Sequence, residues 1–171
     1  PAGEAKMAMA GIAFNDKEGR PSRYAGRGGL GAVLGSKGLK AIVLDDTDAP
    51  GVEPADKDLF KEGAKKLADA IQSHDVTKKG GALNSFGTAV LVNILNEAGG
   101  LPTRNFRSGI FEGAQQISGE ALAEAAKQRG GAGMMGHSCH PGCIIACSNV
   151  YAREDGSEHV SCIEYESSWA L

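Results

Sequence analysis

The chain has 171 residues, of which 42% are hydrophobic and 5% aromatic, and its formal net charge is -3. This length and apolar content suffice for an ordinary domain with a core. The mild negative charge argues against a surface for nucleic acid or anionic membranes, and no apolar run approaches the roughly 20 residues that span a bilayer. Because nothing resembles a secretory signal, we expect a cytoplasmic protein.

Residues 1–48 are rich in glycine and predict β-structure. The segment KMAMAGIAF predicts a strand over residues 6–14, and the polar run NDKEGRPS after it predicts a turn. LKAIVL predicts a buried strand over residues 39–44, which ends at Asp45. The acidic and proline-containing stretch DDTDAPGVEPAD then has the composition of a linker.

Beyond the linker the apolar spacing becomes helical. It predicts helices over about 55–74, about 88–98 and about 118–129, with Ser118 as an N-cap and Gly99 ending the second helix. Near the end of the chain, VYAREDGSEHVSCIEYE predicts a hairpin that turns at Asp155 and Gly156. The sequence therefore predicts an α+β fold with one part over residues 1–48 and another over residues 49–171.

Three cysteines lie four residues apart in the run GHSCHPGCIIACSN: Cys139, Cys143 and Cys147. Thiolates at such short spacing can converge on one inorganic centre, and iron–sulfur clusters usually take four of them. Structural zinc sites are often built from paired C-x2-C motifs, and this sequence has none. We therefore predict an iron–sulfur cluster in this segment.

Two alternatives to the cluster are a zinc site and a disulfide. His137 or His140 could complete a zinc site, although their place inside the cysteine segment would make this awkward. A disulfide is the second alternative, but disulfides persist mainly in oxidising compartments. Cys162 lies in an alternating segment where a small buried thiol is common, so we expect it to be structural.

The segment RYAGRGGLGAVLGSKGLKAIVL carries a second chemical signal. Residues 26–31 match G-x-G-x-x-G, but a dinucleotide site needs a strand before the glycines and a helix after them. The preceding residues do not predict a strand, and Gly35 and Gly38 argue against a helix. We instead predict a cradle of backbone N–H groups for a phosphorylated ligand; the alternative is a tight loop with solvated cations. The cations beside it are Arg23, Arg27 and Lys37.

Three stretches occur in an order that resembles the aldehyde ferredoxin oxidoreductase family of tungsten, sometimes molybdenum, pterin enzymes. They are RYAGRGGLGAVLGSKGLKAI, FGTAVLVNILNEAGGLPTRNF and the cysteine segment followed by EYESSWAL. The resemblance covers essentially the whole chain and implies an internal fragment of a longer protein, which suits a chain that begins at Pro1 without a methionine. Residues 1–48 would end a β-rich pterin-binding domain, and residues 49–171 would start a mainly α-helical domain that carries the cysteines.

The same resemblance implies the cofactors. A tungsten or molybdenum ion would be held by the dithiolenes of two pterins, beside a [4Fe-4S] cluster. Cys139, Cys143 and Cys147 match three ligands of that cluster, with the fourth beyond this chain, although many members have C-x2-C where this chain has C-x3-C. A magnesium ion would link the pterin phosphates and take a backbone carbonyl, for which Tyr24 is the candidate. The residues expected against the pterin phosphates are Arg23, Tyr24, Ala25, Gly26, Arg27, Gly28 and Gly29.

The run EYE supplies the catalytic candidate. Glu164 and Glu166 would face the same side on a strand and diverge at the start of a helix. Glu166 best matches the family's active-site glutamate, and a carboxylate with a pKa raised by burial could take a proton during aldehyde oxidation. The alternative is that both are solvated or stabilise a helix N-terminus.

The activity implied by the resemblance is oxidation of small aldehydes to carboxylic acids, with electrons passed to ferredoxin or to an electron-transfer subunit. The resemblance is also compatible with a homo-oligomer. Two other functions compete with it: an iron–sulfur electron-transfer module without substrate chemistry of its own, and a structural domain stabilised by zinc.

Overall fold

The computed structural model describes residues 1–19, 22–161 and 163–168. The chain divides into two compact units, Pro1–Lys61 and Glu62–Leu171. Helices and strands are both present among the described residues, so the predicted α+β class is confirmed. The predicted division into residues 1–48 and 49–171 stays a prediction.

The first unit contains a short antiparallel strand pair and one helix. Strand β1 (Ile12–Phe14) pairs with β2 (Arg23–Ala25), and Ala13 lies opposite Tyr24. Only the last three residues of the strand predicted over 6–14 are therefore paired. After β1, the Asp16 carboxylate accepts a hydrogen bond of 2.9 Å from the hydroxyl of Ser22, which directly precedes β2.

A helix follows the glycine-rich segment, against our expectation. Helix α1 (Leu30–Ser36) includes Gly35 in its last turn. A Cβ at Gly35 would lie 1.8 Å from the carbonyl oxygen of Gly3, and a Cβ at Gly31 would lie 2.4 Å from that of Gly11. Glycine thus lets the helix pack directly on backbone, and this packing outweighs the low helix propensity that led us to exclude a helix.

The buried strand predicted over residues 39–44 is also wrong. These residues form no strand in the part of the chain that the structure describes, and the side chains of Val43 and Leu44 are 90% and 88% exposed. The stability of a strand comes mostly from its cross-strand neighbours rather than from an intrinsic backbone preference. An apolar run without a paired neighbour therefore stays extended coil.

Four α-helices lie beyond the linker in the described residues: α2 (Lys57–Ser73), α3 (Ala82–Phe86), α4 (Leu91–Glu97) and α5 (Gly119–Arg129). The three predicted helices are confirmed as α2, α4 and α5, and α4 is preceded by a 3₁₀ turn over Thr88–Val90. Ser118 caps α5 as predicted, because its hydroxyl accepts a bond of 3.3 Å from the Ala121 N–H. None of the helices in the described ranges has the length and apolar character needed to cross a membrane.

A three-stranded antiparallel sheet completes the second unit, with strand order β3-β4-β5. The strands are β3 (Met134–His137), β4 (Ser148–Ala152) and β5 (Glu158–Ser161). The predicted hairpin is confirmed as β4 and β5, and Gly156 has the positive φ of 79° that its tight turn requires. The chain between β3 and β4, residues 138–147, contains the three clustered cysteines and is called the cysteine loop below.

The hydrophobic core of the second unit lies beside α4. Val92, Leu101 and Ala114 are buried there, and the ring of Tyr165 packs against them. Tyr165 starts a 3₁₀ helix, Tyr165–Ser168. This ring therefore anchors the EYE run to the core.

Candidate metal centre

The three clustered cysteines are brought together by the sheet. Cys139 lies two residues after β3, and Cys147 directly precedes β4, which pairs with β3. All three are half-buried free thiols, so no disulfide joins them. Cys162 lies outside the described residues.

The donor atoms of the loop lie close enough together to hold a metal. Those of Cys139, His140 and Cys143 lie within 4.8 Å of one another. One zinc ion binds its sulfurs at about 2.3 Å and so gathers its ligands closely. A cluster instead spreads its thiolates over several irons. The loop therefore offers a close group of two thiols and an imidazole, and a third thiol, Cys147, for a centre with more than one metal ion.

His140 is better placed for metal binding than the sequence suggested. Its Nδ1 lies 2.7 Å from the carbonyl oxygen of Pro141. Because a carbonyl only accepts, Nδ1 must donate there, and the lone pair is left on Nε2. His140 forms a compact trio with Cys139 and Cys143, so a histidine inside the loop can lie beside two of the three thiols.

The electrostatics of the loop favour a cationic centre. Burial raises the pKa of the Cys143 thiol, but backbone hydrogen bonds from Ala146, Cys139 and Ile145 and the Cys139 side chain lower it below its usual value overall. Burial raises the pKa of Cys147, and the negative charges of Glu164, Cys139 and Cys143 raise it further. Thiolates so close to one another and to a carboxylate repel, and bound iron would remove that repulsion.

The cysteine loop is also held by its own polar groups. The Ser138 hydroxyl donates to the Cys143 carbonyl at 3.2 Å, and the Cys143 N–H donates to the His140 carbonyl at the same distance. Gly142 and Ala146 have φ values of 82° and 51°. For alanine this left-handed conformation costs roughly 1 kcal/mol or more, so other contacts must hold Ala146 in place.

The EYE run does not form the strand on which both glutamates would share a face. Tyr165–Ser168 is a 3₁₀ helix, so Glu164 and Glu166 diverge. The Thr88 hydroxyl donates to the Glu164 carboxylate and accepts a bond of 3.1 Å from the Tyr165 N–H. Glu166 is half-buried in the first turn of the 3₁₀ helix.

The buried side chain of Asn149 fixes the chain just before this run. Its amide donates to the Ile163 carbonyl at 2.7 Å and accepts from the Ile163 N–H at 3.0 Å. Thr88 and Asn149 were missed by the sequence reasoning, as were two amides behind the cysteine loop, Gln72 and Asn84. These residue types are common everywhere in proteins, so one sequence gives no signal for them.

The glycine-arginine loop, residues 23–29, lies in the first unit between β1 and α1. Arg23, Tyr24 and Ala25 form β2, and Gly29 is the left-handed N-cap of α1. Gly28 also has a positive φ, of 76°. A Cβ at Gly26 or Gly28 would have no neighbour within 4 Å among the described residues, so this backbone is open. Tyr24, Gly26, Arg27 and Gly28 are exposed.

The strand and helix that we had found missing around the glycines are thus present as β2 and α1. However, β2 pairs antiparallel with β1 and is three residues long. A dinucleotide fold requires parallel strands with a crossover helix. The exclusion of a dinucleotide fold therefore rests on strand direction and not on the absence of these elements.

Comparison with known proteins bears on the whole chain. The family model for aldehyde ferredoxin oxidoreductase, domains 2 and 3, matches residues 62–171, and the model for the N-terminal domain of the same family matches residues 1–46. The chain is 44% identical over 172 residues to the tungsten-containing aldehyde ferredoxin oxidoreductase of Pyrococcus abyssi. The corresponding proteins of Pyrococcus horikoshii and Pyrococcus furiosus are 43% and 40% identical.

All of this chain is covered in each of these alignments, but only 25% or 26% of each relative. The chain thus spans about a quarter of the length of these relatives. The two family models match its two ends in the expected order, so the resemblance read from the sequence motifs is confirmed. The chain belongs to the aldehyde ferredoxin oxidoreductase family.

Proposed function

We propose that the complete protein oxidises aldehydes to carboxylic acids at a tungsten or molybdenum ion held by two pterins. The aldehyde and one water give the acid, two protons and two electrons. The electrons go to ferredoxin or to an electron-transfer subunit. The observation that carries this proposal is the cysteine loop, where three free thiols meet in a chain of this family.

The cysteine loop would bind a [4Fe-4S] cluster through Cys139, Cys143 and Cys147, with a fourth ligand from outside this chain. Support comes from the three free thiols of the loop and from the backbone hydrogen bonds that lower the pKa of Cys143. When bound, the pterin-held metal would supply the two-electron oxidation, and the cluster would relay the electrons one at a time.

The glycine-arginine loop would bind the pterin phosphates. Its contribution would be backbone N–H groups freed by Gly26, Gly28 and Gly29, together with the positive charge of Arg27. The open backbone at Gly26 and Gly28 supports this role, because a phosphate can approach the chain there. The Tyr24 carbonyl would help to hold a magnesium ion. Arg23 and Ala25 would help to shape the same surface from β2.

Glu166 would take the proton released as the aldehyde is oxidised. Support for this choice comes from the family resemblance, in which Glu166 matches the active-site glutamate, and from its half-buried place in the first turn of the 3₁₀ helix. Tyr165, packed on the core, would orient Glu166. In this account residues 1–48 end the pterin-binding domain and residues 49–171 start the helical domain.

A zinc-stabilised domain is the second candidate, because the compact trio of Cys139, His140 and Cys143 would suit one zinc ion.

Metal analysis of the complete, anaerobically purified protein separates the candidates. We expect about four irons per chain, tungsten or molybdenum, and reduction of ferredoxin that depends on added aldehyde. Iron without the heavier metal and without aldehyde oxidation would favour an electron-transfer module. Zinc without iron would contradict the cluster.

A further inference from the structure

Two amide side chains behind the cysteine loop make the same pair of contacts. Gln72, at the end of α2, accepts a hydrogen bond from the Lys79 N–H at 3.1 Å and donates one to the Ile144 carbonyl at 3.1 Å. Asn84, in α3, accepts from the Gly80 N–H at 2.9 Å. Each amide therefore ties the turn before α3 to the cysteine loop.

Asn84 makes the larger set of contacts with the loop. Its Nδ2 lies 3.1 Å from the carbonyl oxygen of Ala146 and 3.4 Å from that of Ile145. Together with the bond from Gln72, these contacts bind all three carbonyls between Cys143 and Cys147. They also account for the left-handed alanine in the loop, since Ala146 is one of the residues held.

Because each peptide group is planar, holding these carbonyls also fixes the direction of the N–H groups that follow them. In a trans peptide the C=O and the following N–H point in opposite directions. When the amides hold the carbonyls of Ile144 and Ile145, the N–H groups of Ile145 and Ala146 are turned away from the helices. The same two residues supply backbone hydrogen bonds that lower the pKa of the Cys143 thiol, so their N–H groups lie within reach of its sulfur.

Hydrogen bonds to cluster sulfurs tune the reduction potential, because they stabilise the more negative, reduced form. We propose that Gln72 and Asn84 are positioning residues that aim two N–H groups at Cys143 and thereby raise the reduction potential of the cluster. This inference rests on the proposed cluster. Gln72 and Asn84, which are distant in sequence from the cysteines, set the reduction potential of that cluster.

The packing around Asn84 leaves little freedom for its side chain. A Cβ at Gly136 would lie 3.1 Å from the Asn84 Nδ2, and Gly136 has a φ of 72°. Gln72 is exposed, whereas Asn84 is half-buried. Water can replace a lost hydrogen bond more easily at an exposed site, so Asn84 should have the larger effect.

Acid substitutions test the donor group of each amide separately from its acceptor oxygen. Asn84→Asp and Gln72→Glu keep the oxygen that accepts from Gly80 or Lys79 but remove the donor to the loop carbonyls. Gln116→Glu adds the same charge on an exposed residue and controls for net charge, whereas the charge beside the loop is controlled by the alanine variants below. The readout is the midpoint potential of the cluster in the complete protein, followed by electron paramagnetic resonance during a redox titration.

We expect Asn84→Asp to favour the oxidised cluster by about tenfold, which is about 59 mV for one electron. Gln72→Glu should shift the potential in the same direction by less, and Gln116→Glu should match the wild type. Equal potentials in all four proteins would overturn the inference. A wild type without iron would instead refute the proposed cluster itself, so the two failures are distinguishable.

Charge-free variants keep the test valid if the acid variants bind less iron. Asn84→Ala and Gln72→Ala remove the same donors without adding a charge, and Gln116→Ala is their control. Their midpoint potentials should again lie below that of the control. Potentials equal to or above the control would overturn the inference, because the N–H groups would then be aimed without help from the amides.

Discussion

The glycine-arginine loop and the cysteine loop are shaped by opposite means. In the first unit, Gly31 and Gly35 let α1 pack directly on the backbone of Gly3 and Gly11, and the loop before the helix is left open. In the second unit, side-chain amides from α2 and α3 and a hydroxyl within the loop hold the cysteine loop. A surface for phosphates needs bare backbone, whereas a thiolate centre needs its sulfurs aimed. Substitutions should therefore act through sterics at the first loop and through metal binding at the second.

The largest expected effect on the cysteine loop is loss of the metal. Cys143→Ser should remove most of the iron from the complete protein, because a thiolate ligand matters more than the supporting groups, whose loss already costs roughly 10- to 100-fold in metal affinity. Cys162→Ser is the control and should retain the iron, since we predict that this thiol is structural. Iron and acid-labile sulfide are measured after anaerobic purification. Equal iron in both variants would exclude Cys143 as a ligand.

The glycine packing should respond to a single methyl group. Gly35→Ala places a Cβ 1.8 Å from the Gly3 carbonyl oxygen, so we expect a loss of about 3 kcal/mol in the free energy of unfolding. Gly63→Ala is the matched control in α2, where a Cβ would meet nothing within 4 Å. It should stabilise the helix by about 0.5–1 kcal/mol. Denaturant unfolding of both variants measures the difference, and equal effects would mean that α1 does not pack this closely.

Thr88 tests whether side-chain hydrogen bonds also hold the EYE run. Thr88→Val removes the bond to Glu164 and the acceptor for the Tyr165 N–H, at a cost of about 1–3 kcal/mol. Thr77→Val is a graded control, because its hydroxyl donates only one bond, to the Ile71 carbonyl at 2.7 Å, and it should cost about 1 kcal/mol. If the two variants are equally stable, Thr88 does not anchor this segment.

The smallest expected effect concerns the cap of α5. Ser118→Ala removes the bond to the Ala121 N–H and should cost about 1 kcal/mol. Because the hydrogen bonds of the Ser118 hydroxyl go to Gln115 and Ala121 rather than to the cysteine loop, the iron content should stay at the wild-type level. Thermal unfolding and iron analysis of the same sample test both statements. A variant that loses iron would show that stability of the second unit, rather than local aiming, limits metal binding.

The sequence predicted the elements whose signals are local. The spacing of apolar residues located α2, α4 and α5, and Ser118 and Gly156 marked a cap and a turn. Helix α1 was missed because its glycines serve contacts with residues far away in sequence, which outweigh propensity. The apolar run over residues 39–44 failed in the opposite way, because a strand also needs a partner.

The candidate site was predictable to the same extent. The cysteines could be recognised from their spacing, whereas Gln72 and Asn84 lie more than 50 positions before the loop that they hold. His140 was discounted for its place inside the cysteine segment, and the hydrogen bond to Pro141 that orients its ring appears only in three dimensions. The pterin-facing and catalytic residues come from family resemblance and stay predictions.

The central claim is that Cys139, Cys143 and Cys147 bind a [4Fe-4S] cluster. Mössbauer spectroscopy of the complete protein, grown with ⁵⁷Fe and purified without oxygen, tests it most directly. We predict the spectrum of one four-iron cluster, accompanied by loss of that spectrum in Cys143→Ser. A protein that carries zinc bound through Cys139, His140 and Cys143, with no iron spectrum, would contradict the account.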